Sequence, residues 1–329
     1  MIEISRPLRH LVAGLLVVAG ACTEPAVAVI ILDSTWAAEG GEPGREGRGF
    51  TASIALASEP QFAGVIGLEW NNDYGGSGTW IGNDARGRAH ILTAAHNFDD
   101  GSGATGWTYV SSSGKKFGGV ELEIHPLYDK DDSATGGYDM AIVVLDGPIE
   151  DAGAQPRLYG GTEELHQVAT SVGYGSRGIG SAGEAPKFYA SRDGAAMRNI
   201  IDVVEAPVPS GRGGNSLGTD FDSEDGFNNA LVGDANPVDR LEGALGSGDS
   251  GGSLWIRTAR GWAIAGVNIS GDDDKYGASN WYSRVSTQRE WVLRVFPAAR
   301  FAGEQRCGDL LSDATERVTR RCAAPTPPR

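Results

Sequence analysis

Cysteine is almost absent, with Cys22, Cys307 and Cys322 the three examples in 329 residues. Three cannot build a disulfide framework, so the fold must rest on a packed core. Basic residues are outnumbered, 28 Lys and Arg against 43 Asp and Glu, for a formal net charge of −15. That balance argues against a nucleic-acid partner, because phosphate needs a basic face. Aromatics at 8% and charged residues at 22% fit a folded chain rather than a disordered one. What the chain has in excess is glycine, 49 of 329 positions. With no three-residue period, this points to many tight turns and short strands rather than to collagen.

Met1 to His10 carries Arg6 and Arg9 against one acid, Glu3, and Leu11 to Ala21 then runs eleven residues without a charge. This is the pattern of an export signal, and the run is too short to span a membrane. Ala19-Gly20-Ala21-Cys22 resembles a lipoprotein cleavage site, which would lipidate Cys22 and hold the chain at a membrane. Ala26-Val27-Ala28 is an alternative A-x-A site. Either event leaves Cys307 and Cys322 as an even pair, expected to form a disulfide in an exported tail. The expected location is secreted, periplasmic or at the cell envelope.

The chain divides into an export signal (1–28), a propeptide or linker (29–49), a folded body (50–297) and a tail with the cysteine pair (298–329). Glu39 to Gly49 is rich in Gly, Glu and Arg with no apolar period, the texture of a flexible linker. In the body, short apolar runs such as Gly64–Leu68, His90–Leu92, Ala141–Leu145, Ser253–Ile256 and Trp262–Val267 are punctuated by turn residues. Strands of this length without intervening helices predict an all-β fold of antiparallel sandwich or barrel type. One helix is expected over Thr287–Phe296, where Thr287 and Glu290 match a capping box. Gly173–Gly183 and Gly211–Gly226 are expected to be long surface loops.

The chemistry concentrates in Gly246-Ser247-Gly248-Asp249-Ser250-Gly251-Gly252. A serine hydroxyl is a weak nucleophile and needs a base beside it and amides facing the developing oxyanion. Flanking glycines let the backbone bend until the amides of Gly248 and Ser250 converge. Of five histidines, His96 follows the apolar run Ile91-Leu92 and the small residues Ala94-Ala95, which would hold an imidazole at a strand end. Asp139 precedes Met140–Leu145, a carboxylate at the mouth of a buried strand. The order His–Asp–Ser supplies a base, a group to orient it and a nucleophile.

Thr93-Ala94-Ala95-His96, Asp139-Met140-Ala141 and Gly248-Asp249-Ser250-Gly251-Gly252 resemble the three signatures of the trypsin/chymotrypsin-like serine proteases. Ser77-Gly78-Thr79-Trp80-Ile81, His125-Pro126-Leu127-Tyr128, Gly173-Tyr174-Gly175 and Asn280–Val285 fall in the matching order. The likeness covers about Phe50 to Phe296. It implies two six-stranded antiparallel β-barrels with a C-terminal helix, and a serine endopeptidase acting through an acyl-enzyme. Ser250 would be the nucleophile, His96 the general acid and base, and Asp139 its orienting carboxylate. Gly248 and Ser250 would form the oxyanion hole. A protein or peptide is the expected substrate and the chain is expected to be a monomer, with no cofactor.

Three departures stand out. The family frees a branched apolar N-terminus whose ammonium pairs with the aspartate before the nucleophile, here Asp249. No such run lies near Arg48-Gly49-Phe50, where cleavage would be expected, so the partner of Asp249 stays open. At the specificity pocket, Ala244 replaces a carboxylate at the floor and Asn280 a glycine, which favours a small or apolar substrate side chain. Asn97 stands where the family keeps a cysteine beside the histidine. Asp220-x-Asp222-x-Glu224 begins like a calcium loop, but Asp225 and Leu231 break the EF-hand pattern; loop calcium stays open. Competing readings are a non-catalytic protease-like binding module and an α/β esterase; the β-rich surroundings and the order of the triad reject the second.

Overall fold

The computed structural model describes residues 29–302, apart from 132–136, 189–190, 206–213, 232 and 234. The export signal, the three cysteines with their expected disulfide, and the tail after Ala302 lie outside the described residues. The described chain opens with strand β1 (Ile30–Ile31) and helices α1 (Asp33–Ala38) and α2 (Thr51–Ala57). Six strands follow: β2 (Val65–Trp70), β3 (Asp73–Asn83), β4 (Ala89–Thr93), β5 (Thr108–Val110), β6 (Lys116–Ile124) and β7 (Ala141–Leu145). They close into an antiparallel barrel in the order β2-β3-β4-β7-β6-β5. The β2–β3 hairpin turns on Asn71 and Asn72, with φ of 51° and 64°. Two central residues at positive φ make the turn that matches strand twist, and Asn tolerates that region best after Gly.

Strands β4 and β7 explain the uninterrupted apolar runs seen in the sequence. Ile91, Ala141, Val143 and Leu145 point into the barrel core with Ile66, Leu68 and Tyr109. Leu92 and Ile142 point the other way, into a second core that contains Trp255, Ile264 and Trp291. Both faces are buried, so alternation disappears. The two strands are antiparallel with Thr93 opposite Ala141. The segment leaving β4 and the segment entering β7 therefore emerge at the same end of the barrel.

The second half contains β8 (Arg157–Tyr159), β9 (Val168–Gly173), β10 (Gly178–Ile179), β11 (Gly183–Glu184), β12 (Ala195–Ile200) and β13 (Val203–Glu205). Strands β14 (Ser216–Asp220), β15 (Gly243–Ala244), β16 (Ser253–Thr258), β17 (Gly261–Gly271), β18 (Ser279–Arg284) and β19 (Arg300–Ala302) complete it. Nine of these strands form one sheet along the path β12-β9-β16-β17-β18-β14-β13, to which β8 and β19 add in parallel. The architecture is thus one closed barrel and one curled, half-barrel sheet, the two-barrel arrangement in a more open form. Between β12 and β14 the ladder is replaced by a side chain: Asn199 Nδ2 donates to the Asp220 carbonyl at 2.5 Å and to that of Gly243 at 3.3 Å. A four-stranded sheet, β11-β10-β1-β15, lies beside it.

Several local expectations are corrected. Residues 29–49 are packed rather than loose: β1 pairs with β10 and β15, and Trp36 Nε1 donates to the Glu46 carbonyl at 3.1 Å. One tryptophan against glycines organises a segment that has no apolar period. Gly173–Gly183 is no surface loop, since Tyr174 and Arg177 are buried and β10 lies within it. Within Gly211–Gly226, β14 is a strand of the main sheet. The final helix α3 spans Arg289–Val295 behind a 3₁₀ turn at Ser286–Gln288. The capping box is not made, because Thr287 Oγ1 donates back to the Arg284 carbonyl at 3.0 Å.

Candidate active site

The shared end of β4 and β7 brings His96 and Asp139 together. His96 sits in a 3₁₀ turn (Ala95–Phe98) just after β4, and Asp139 lies two residues before β7. Asp139 uses both oxygens on the one histidine: Oδ2 lies 2.6 Å from Nδ1, and Oδ1 accepts the His96 backbone amide at 3.0 Å. The ring is thereby fixed in orientation and its Nδ1 is the protonated nitrogen, which leaves Nε2 as the free base. Burial pulls the imidazole pKa down, but the hydrogen bond and charge of Asp139, with Asp99 beyond, outweigh it and leave it raised.

Ser250 enters from the other half, three residues before β16. Its loop is pressed against the His96 segment: Asn97 Nδ2, on the residue after His96, donates to the Ser250 carbonyl at 3.1 Å. Gly251 has φ of 86°, and a Cβ there would collide with Thr93 and Ala94, so only glycine lets the loop approach β4 this closely. Ser77, fully buried on β3, is a junction. Its amide donates to the Ser250 carbonyl at 2.8 Å, its hydroxyl to the Gly248 carbonyl at 2.9 Å, and its carbonyl accepts Thr93 Oγ1 at 2.7 Å.

The two amides expected to face an oxyanion are oriented from behind. The carbonyl preceding Gly248, on Ser247, accepts the Ser176 amide at 2.6 Å. The carbonyl preceding Ser250, on Asp249, accepts the Gly252 amide at 2.9 Å and Asn268 Nδ2 at 3.2 Å. In a trans peptide the N–H points opposite to the C=O, so each amide is aimed away from these donors.

Asp249 itself is buried, and burial pushes its pKa up to about 7 against the pull of three amides. Those of Gly246 and Gly175 donate at 2.9 Å each, and that of Val29 at 3.4 Å. The sequence points to Arg48-Gly49-Phe50 rather than to Val29. Phe50 is instead buried edge-on against Phe188, in the core that also holds Ile31 and Met197. The signal that could have found Val29 is the A-x-A site directly before Val29-Ile30-Ile31-Leu32.

Ala244 and Asn280 are fully buried, and Asn280 Oδ1 accepts the Leu245 amide at 2.8 Å, closing the space behind the pocket. The cavity of about 350 Å³ in front of it is lined by Ser250, Leu245 and Ile269 together with Glu184, Asp272, Asp273 and Asp274. In the sequence Glu184 and Asp272–Asp274 are two separate stretches with no motif to join them. Asp220 Oδ2 accepts the amides of Ala230 and Leu231 at 2.5 and 2.8 Å, so its carboxylate pins its own loop. Among the described residues no three His, Cys, Asp or Glu side chains converge as a metal set would.

A solved structure of neuropsin, a serine protease expressed in the limbic system of mouse brain, matches this arrangement with a TM-score of 0.50. The match covers 72% of this chain and 96% of that one at 14% sequence identity. The fold is that of a serine protease. No family model matches the sequence. No curated protein matches it either.

Proposed function

We propose that the chain is an exported serine endopeptidase in which Ser250 attacks the substrate carbonyl and His96 moves the proton. The observation that carries this reading is the His96–Asp139 pair, at 2.6 Å, on a turn whose next residue, Asn97, bonds the Ser250 carbonyl in a serine-protease fold. Asp139 keeps the imidazole in the tautomer whose Nε2 can take the Ser250 proton, and stabilises the imidazolium that results. The oxyanion formed on attack is received by the amides of Gly248 and Ser250, whose orientation is set before substrate arrives. Collapse releases the amine, protonated by His96, and leaves an acyl-Ser250 ester; water activated by the same imidazole then frees the acid.

In this reading Met1–Ala28 is the export signal, and its removal after Ala28 makes Val29 the first residue. Labelling by a fluorophosphonate probe and hydrolysis of a peptide library test the proposal. The wild-type chain should label and cleave. Ser250→Ala should remain folded, fail to label, and lose on the order of 10⁴-fold or more in turnover. A folded wild-type chain that neither labels nor cleaves would identify a protease-like binding module instead.

A further inference from the structure

The two peptide bonds that flank Ser250 are held in matching fashion. The Asp249 carbonyl, before it, accepts one backbone amide (Gly252, 2.9 Å) and one asparagine amide (Asn268 Nδ2, 3.2 Å). The Ser250 carbonyl, after it, accepts one backbone amide (Ser77, 2.8 Å) and one asparagine amide (Asn97 Nδ2, 3.1 Å). Peptide planes are rigid, so fixing the plane on each side fixes φ and ψ of the residue between them. The direction in which Ser250 presents its Cβ is thus set by two backbone amides together with two side chains far apart in sequence.

Each asparagine is itself anchored, and in a different half of the molecule. Asn268, on β17 and fully buried, accepts Ser171 Oγ at 3.1 Å and also donates to the Val172 carbonyl at 3.4 Å. Asn97, next to His96 and 7% exposed, donates also to Thr93 Oγ1 at 3.1 Å. It fills the space over Gly76, where a Cβ would lie 3.0 Å from its Nδ2. No cysteine occurs between positions 22 and 307, so no disulfide can join these segments.

We infer that Asn97 and Asn268 are positioning residues that clamp Ser250, one tying it to the His96 turn and the other aiming its amide at the oxyanion. The inference rests on the serine-hydrolase reading. A clamp of this kind acts on the approach to the transition state more than on substrate affinity. Misplacing a reacting group by about 1 Å can cost on the order of 100-fold in rate.

The test is to make Asn97→Ala and Asn268→Ala and measure kcat, KM and the rate of fluorophosphonate labelling well below the melting temperature. Leu145→Ala, in the barrel core, serves as a variant that loses stability without touching the loop. The expected result is a fall in kcat of about 10- to 100-fold for each asparagine variant, a parallel fall in labelling rate, and KM within about threefold. Leu145→Ala should melt earlier and keep its kcat. Asparagine variants that label and turn over like the wild type overturn the clamp alone. A wild-type chain that the probe leaves unlabelled overturns the hydrolase reading and the clamp with it. If Asn268→Ala does not fold, Asn268→Ser, which lacks the long amide arm, carries the same measurement.

Discussion

The backbone nitrogen of Val29 lies 3.4 Å from Oδ2 of Asp249, a residue 220 positions further along the chain and adjacent to Ser250. Asp249 is 1% exposed, and the groups bonded to it are the amides of Val29, Gly175 and Gly246. A buried carboxylate matched by neutral dipoles alone is costly to ionise. Val29 also has φ of 64°, a region that β-branched residues avoid. Cleavage after Ala28 would relieve both conditions at once. The new ammonium would neutralise Asp249, and the loss of the preceding carbonyl would remove the constraint on φ. The active chain should therefore begin at Val29 by N-terminal sequencing. A chain kept uncleaved, or processed at Cys22 with seven residues still ahead of Val29, should be less active by about tenfold or more. Full activity in a chain retaining Ala28 would refute this.

The same pair makes a prediction about stability and pH. In the uncleaved chain Asp249 titrates at about 7, against an ordinary value of 3.8. Between those values the folded state holds a proton that the unfolded state has released, so stability falls as pH rises through this window. Burial raises Glu242 to about 8 and Asp202 to about 7, with the same sign in either form. The difference between cleaved and uncleaved chains therefore isolates Asp249. Melting curves of the two forms of Ser250→Ala from pH 4 to 8 should diverge as pH rises, with the uncleaved form falling more steeply. Parallel curves would show that Val29 does not engage Asp249.

In the proposed mechanism His96 governs the acid limb of activity. Its pKa is raised above the ordinary 6.5, because Asp139 outweighs the effect of burial. The neutral imidazole is the base, so kcat/KM should fall as pH drops through a midpoint above 6.5. Asp139→Asn removes the charge and offers the wrong tautomer, and should cost on the order of 10⁴-fold in kcat. A pH–rate profile flat from pH 6 to 8 would exclude His96 as the base.

Much of this was legible in the sequence because burial on two faces writes a distinctive signal. Ile91-Leu92 and Ala141–Leu145 are continuous apolar runs, and the residues at their shared end, His96 and Asp139, are the pair that meets. The loop around Ser250 was legible because close approach to β4 demands glycine at 251. What stayed hidden depends on contacts between distant segments. Nothing local marks Asn268 as a partner of Asp249, or Ile30 as the strand partner of Gly178 and Ala244. Thr287 carries a capping signal, yet its hydroxyl is taken by Arg284, and tertiary packing moved the helix start to Arg289.

A buried ion pair joins the end of β18 to the segment before β9. Arg284 Nη2 and Nε donate to the two oxygens of Glu164 at 2.6 and 2.8 Å, and Ser286 Oγ donates to the same carboxylate at 2.8 Å. Glu164 is fully buried. Arg284→Leu leaves that charge without its cation and should lower unfolding stability by about 3–5 kcal/mol. Arg284→Leu combined with Glu164→Leu should recover part of the loss, since the uncompensated charge is gone. Denaturant melts of the single and double variants decide it; equal stability of Arg284→Leu and wild type would mean that the pair contributes nothing.

The pocket beside Ser250 predicts a preference opposite to the one drawn from Ala244. Its deep wall is closed by the Asn280–Leu245 bond, so a side chain cannot reach Ala244. Its mouth carries Glu184, Asp272, Asp273 and Asp274. Glu184 is spent on the amide and hydroxyl of Ser247, at 2.8 and 2.7 Å, but Asp272 and Asp273 are exposed. A substrate side chain with an aliphatic stem could lie along Leu245 and Ile269 and place a cationic head among these carboxylates. Exposed pairs are worth roughly 0.2–1 kcal/mol each, so the preference should be modest and sensitive to salt. Peptides with Lys or Arg on the acyl side of the scissile bond should be cleaved about three- to tenfold faster than matched peptides with Asp or Glu at low ionic strength. Asp272→Asn with Asp273→Asn should reduce that ratio while leaving cleavage of a neutral peptide unchanged. A ratio near one in wild type, or one that persists in 0.5 M salt and in the double variant, would return the specificity to the buried wall rather than the charged mouth.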